Sequence, residues 1–108
     1  MLSRDQILAA DDCKRVAVSV PEWGGDVFVR VMSGADRGTV QRAGDKRENV
    51  YGLYAALCIC DEQGRRLFTE ADIEALEAKS IHALSRVLEA AMKINALDSH
   101  AVEDAKKN

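Results

Sequence analysis

Three cysteines, two histidines and a band of carboxylates are the residues of this 108-residue chain with the chemistry to hold a metal, attack a substrate or carry a proton. Cys58 and Cys60 stand at i and i+2, a spacing that points both side chains the same way from a strand and lets them meet Cys13. Zinc takes four ligands, usually from paired C-x(2–4)-C or histidine sets, and here C-x-C stands alone. Small buried thiols are the simpler reading. His82 lies beside a helix start and His100 near the tail, and neither has a cysteine or serine in a nucleophile setting. Asp61, Glu62, Glu70, Asp72, Glu74 and Glu77 form an acidic region without the alternating ligand positions of a calcium loop, which reads as a solvated face. GGDVFV and SGADRG lack the combination of strand, glycine spacing and helix start that phosphate loops require. No catalytic residue, metal site or cofactor is assigned.

The bulk properties agree with a binding role. The chain is 47% apolar and 31% charged, a composition that folds, and its length suits one domain without room for a deep cleft. A formal charge of -3 offers no basic footprint to neutralise phosphates, so nucleic acid is not an expected partner. No window approaches the ~18 apolar residues of a membrane span and the first residues have no signal-like apolar run. The expectation is a cytoplasmic protein with reduced thiols and protein partners.

The elements that carry these residues follow from local signals. Ser3 and Gln6 form a capping-box pattern before Ile7 and Leu8, predicting a short docking helix. Val16, Val18 and Val20, then Val27, Val29 and Val31, alternate on either side of PEWGG, predicting a β-hairpin whose turn uses Pro21, Gly24 and Gly25. Residues 33–44 conflict: Ser33 can cap a helix, yet Gly38 and Gly44 each weaken one by about 1 kcal/mol, so a frayed helix or mobile loop is expected. Asp45 caps the next run, where Val50, Leu53, Tyr54 and Leu57 recur at helical spacing. Residues 56–61 turn extended into a small second hairpin centred on Gly64. Thr69 with Asp72 caps a helix of about two turns, with Ile73 and Leu76 inward. Ser80 starts the longest helix, with Ile81, Leu84, Val87, Leu88, Ala91 and Ile94 on one face. Residues 98–108 have Val102 as their single large apolar group, and a mobile tail is expected. The fold class is α+β: one small domain, mainly helical, with an N-terminal hairpin.

Apolar stripes on the hairpin and the long helix exceed what so small a domain covers, which predicts self-association. Trp23, the single tryptophan, stands at the hairpin tip, where it either packs on its own domain or meets another chain. Trp23, Val27, Val29, Val31, Leu84 and Leu88 are the residues assigned to partner or oligomer contact.

Taken together, LSRDQILAADD, VSVPEWGGDVFVRVMSGADR and CDEQGRRLFTEADIEALEAKS with the helix that follows resemble the tail assembly chaperones of long-tailed bacteriophages and prophages. The likeness lies in the order of the pieces and covers nearly the whole chain. RGTVQRAGDK departs from it, since a more regular helix is expected there. The resemblance implies a non-enzymatic protein of the host bacterial cytoplasm. It would coat the tape-measure protein, keep its apolar helices from aggregating, and help tail-tube subunits polymerise around it. It also implies a longer form, made by ribosomal frameshifting, that recruits tube protein, and Lys106, Lys107 and Asn108 suit an A-rich slippery heptamer. The alternative is a small structural tail or head-tail joining protein of the virion.

Overall fold

The computed structural model describes residues 1–44 and 49–96. The capping role of Asp45, His100 and the tail expected at residues 98–108 lie outside the described residues. Helix α1 spans Arg4–Ala9, and the capping box is present: Ser3 Oγ accepts from the Gln6 N–H at 3.2 Å and Gln6 Oε1 from the Ser3 N–H at 2.8 Å. Strands β1 (Arg15–Val20) and β2 (Gly25–Arg30) pair antiparallel, as the alternation requires. Their connection is a 3-10 turn over Pro21–Trp23, opened by the proline and closed by Gly24 at φ 78. Gly24 alone supplies the positive φ there; Gly25 already belongs to β2.

At three points the structure departs from expectation. Helix α2 is regular over Gly34–Gly44 rather than frayed or a loop. Its glycines cost helix propensity, but Ser33 Oγ accepts from the Asp36 N–H at 3.1 Å while the Asp36 carboxylate accepts from the Ser33 N–H, and Val40 is buried. Tertiary anchoring outweighs local preference. Helix α3 runs Val50–Cys58 and passes directly into β3, Ile59–Cys60, which adds a third strand in the order β1-β2-β3. The boundary falls between Cys58 and Cys60, so the two do not project from one strand. The Gly64 hairpin forms: Gly64 takes φ 83 and a bridge joins Cys60 to Arg66. Helix α4, Ile73–Glu77, follows a 3-10 turn begun by the Thr69–Asp72 capping box, and α5, Ile81–Ile94, starts at Ser80, whose Oγ accepts from His82 and Ala83. Ile81, expected inward, is 52% exposed, although Ala83 and Leu84 in the same first turn are buried, so it stands off the face that α5 buries.

Cross-strand neighbours share a face, so Val16, Val18 and Val20 lie with Val27, Val29 and Ile59, and α5 packs there. Beside it α3 is apolar all round, with seven of its nine residues buried, as a central helix should be. Gly52 makes the α3–α4 approach possible: a Cβ at this position would lie 2.6 Å from the Ile73 carbonyl oxygen and 2.9 Å from Glu77 Cγ. Among the described residues one ion pair is drawn inside. Arg30 Nη2 meets Asp36 Oδ2 at 2.7 Å while its Nε donates to the Leu57 carbonyl at 3.1 Å.

Gly52→Ala should therefore destabilise by about 1–3 kcal/mol, as overpacking does, rather than stabilise by the ~1 kcal/mol it gives in an open helix; thermal unfolding followed by circular dichroism decides the sign. Asp36→Ala strands the Arg30 charge and should cost about 3–5 kcal/mol, read as a lower urea midpoint.

Candidate functional site

Trp23 sits on the rim of an open apolar hollow of about 310 Å³, with Phe68, Asp72, Ala75, Leu76 and Lys79 as its other walls. Two stretches distant in sequence build it, the hairpin tip and residues 68–79. The 3-10 turn holds the indole half-buried against the core, and Gly24 N–H closes that turn on the Pro21 carbonyl at 3.0 Å. A two-pronged ion pair ties the tip down: Arg86 of α5 places Nε 2.9 Å from Glu22 Oε1 and Nη2 3.2 Å from Oε2. The paired geometry specifies one orientation of the tip even where its energetic contribution is small. The hydrogen bond from Arg86 holds the Glu22 carboxyl below the ordinary glutamate range. Opposite, Thr69 N–H donates to Asp72 Oδ2 at 2.8 Å and orients the segment that carries Ala75 and Leu76, the latter buried as the floor.

The sequence-assigned contact residues divide. Val29 and Leu84 are buried in the domain's own core and present no surface to a partner. Period-2 and period-3.6 stripes mark the face an element buries, and for these two that face is the interior. Trp23, Val27, Val31 and Leu88 keep partial exposure. Leu88 borders a hollow with Tyr51 and Met92, and Val31 another with Arg37 and Ile94. The large exposed apolar side chains lie elsewhere: Met1 and Leu2 (69%) just before α1, Ile7 (57%) and Leu8 (68%) on it, together with Val16, Leu67 and Ile81. The α1 group had a signal in sequence, a capped helix too short to support itself.

The groups with reactive chemistry are dispersed. Cys13, Cys58 and Cys60 are free thiols. Burial pushes Cys58 up to about 12 and Cys60 upward, so neither supplies thiolate at neutral pH. Asp61 is held below the ordinary carboxylate range by the backbone N–H groups of Arg65 and Gln63, which it uses to shape the Gly64 turn. Among the described residues no group of three or more His, Cys, Asp or Glu could hold a metal ion, and no helix is long and apolar enough to cross a membrane. The arrangement offers apolar recognition: a fixed indole, a shallow greasy floor and one charge of each sign at the edge.

The family model described as phage tail assembly chaperone, TAC, matches residues 9–95, a span that opens after Leu2, Ile7 and Leu8. The solved structure of the bacteriophage HK97 tail assembly chaperone superposes with a TM-score of 0.60 at 23% identity, covering 88% of this chain and 92% of that one. The likeness shows a shared fold. No curated protein sequence matches.

The Glu22–Arg86 pair makes acid sensitivity testable. A lowered folded-state pKa contributes stability that is complete above the ordinary value of 4.5 and lost as pH falls through the folded-state pKa. Arg86→Gln should therefore lose less stability than the parent on acidification below that value. Its Glu22 carboxyl, followed by NMR, should titrate closer to 4.5, and identical Glu22 titrations in both proteins would refute the coupling.

Proposed function

Because this chain belongs to the phage tail assembly chaperone family, we propose that it binds the tape-measure protein, keeps that protein's long apolar helices soluble, and promotes polymerisation of the tail tube around it. The observation that carries this reading is the apolar surface that a well-packed domain leaves uncovered: the Trp23 hollow, Leu2 before α1, Ile7 and Leu8 on it, and Val16, Leu67 and Ile81. Exposed apolar patches of this kind mark interaction sites. The action proposed is reversible holding, with no bond made or broken. It works in the host bacterial cytoplasm, before the particle is complete.

Holding a long helix calls for many copies side by side, so the proposed working form is a homo-oligomer. Repetition multiplies weak apolar contacts along the client through effective concentration. A frameshifted longer form, whose added region recruits tail-tube protein, belongs to the same proposal, with the codons of Lys106, Lys107 and Asn108 as the slippage site. A gene lacking a slippery run there removes that part.

Co-expression with a fragment of the tape-measure protein tests the central claim. The soluble fraction of the fragment should rise several-fold with this chain and fall back with Trp23→Ala. Equal aggregation with and without the chain overturns the proposal. Recovery of this chain as a component of purified particles would favour a structural virion protein instead.

A further inference from the structure

We propose that α1 is a docking arm, seating Leu2, Ile7 and Leu8 in the Trp23 hollow of a second copy of this chain. The proposal rests on the self-association described above and names the two surfaces that meet. The first observation is the state of the arm. Every residue from Met1 to Asp12 is exposed, yet the segment is an organised helix closed by a complete capping box. Six residues are too few for a helix to hold itself in water without apolar contact. Leu2 precedes the N-cap and Ile7 is the fourth helical residue, the two positions that pair as a hydrophobic staple. The arm is thus shaped to present apolar side chains, and its own domain buries none of them.

The second observation is the hollow. At about 310 Å³ it stands at the small end of the ~300–1,000 Å³ range of binding pockets, a size for a few aliphatic side chains. The charges complement each other. Arg4 and Asp5 flank the arm's apolar residues and meet each other at 3.2 Å, with side chains 82% and 91% exposed. Asp72 and Lys79 flank the hollow. A seated arm exchanges a solvated pair for Arg4–Asp72 and Asp5–Lys79 across a partly dry joint, which sets its direction.

The third observation is placement. The arm leaves the domain at the start of β1 and the hollow lies beyond that strand's end, about 20 Å away at ~3.3 Å per residue. Lys14 is already fastened, its carbonyl accepting from Val31 N–H at 2.8 Å. Each copy therefore offers an arm at one end and a hollow at the other, a head-to-tail joint that repeats from copy to copy.

Two full-length variants test this without touching buried residues: an arm variant carrying Leu2→Ser, Ile7→Ser and Leu8→Ser, and Ala75→Arg, which fills the hollow from an exposed position. Light scattering after size exclusion should give a multimer for the parent and the 11.8 kDa monomer for each variant. An equimolar mixture, holding one intact arm and one intact hollow, should give twice the monomer mass and no more. Trp23 emission, unambiguous because the tryptophan is single, should shift to longer wavelength in the arm variant and move part of the way back in the mixture, where only the arm variant's hollow is seated. A parent multimer unchanged by the arm variant, or a mixture that stays monomeric, overturns the arm while leaving self-association standing. The arm is likewise overturned if Ala75→Arg loses only tape-measure binding, since the hollow then serves a different protein. A parent at 11.8 kDa at every concentration removes self-association, and the arm proposal with it.

Discussion

One guanidinium organises the junction on which the rest of this fold depends. Arg30, at the end of β2, pairs with Asp36 in the first turn of α2 and donates to the carbonyl of Leu57 near the end of α3. Beside it, Asn95 accepts from Met32 N–H at 2.8 Å and donates to the Ala91 carbonyl, closing the end of α5 onto the same corner. Burying two charges is costly unless geometry and hydrogen bonding offset the lost hydration. Any arrangement of α2 that left Asp36 elsewhere would leave Arg30 charged, enclosed and unpaired. Sheet, α2, α3 and α5 therefore meet in one way.

With that corner set, the distribution of apolar surface becomes informative. The valine face of the sheet, α3 and the inner face of α5 cover one another, and Gly52 lets α4 close against α3 over bare backbone. What stays outside is not a random remainder. Part of it lies on α1 and the residues before it, all exposed, and part at the hairpin tip, where Trp23 is held by its turn and by the Glu22–Arg86 fork, while Val16, Leu67 and Ile81 are exposed elsewhere. A rigid indole over a small greasy floor binds apolar side chains with little ordering cost. A short capped helix supplies such side chains. Recognition here uses shape and desolvation, in keeping with thiols whose burial keeps them protonated and carboxylates engaged in caps and turns.

Much of this was written locally. Ser3 with Gln6, Thr69 with Asp72, and Ser80 are caps whose partners stand two or three residues away. Pro21, Gly24 and Gly64 declare their turns because the backbone angles required belong to those residue types. The period of α5 declares its buried face, Leu84, Val87 and Ala91. These signals act within one turn or one strand pair, so a single chain displays them unaided, and the α+β class with its hairpin follows.

Tertiary structure decided the rest. The glycines of residues 33–44 argued for fraying until Arg30, six residues upstream of Asp36, anchored that helix. Ile59 and Cys60 became a third strand because β2 had an open edge beside the end of α3. Val29 and Leu84 look in sequence like any other members of an apolar stripe, yet they are interior while Trp23 and Leu88 reach the surface. Periodicity identifies the greasy side of an element but not how far a neighbour extends over it. That extent depends on the lengths and crossings of segments dozens of residues apart, and the Trp23 hollow, walled by the hairpin tip, Phe68 and α4, exists only once they are assembled.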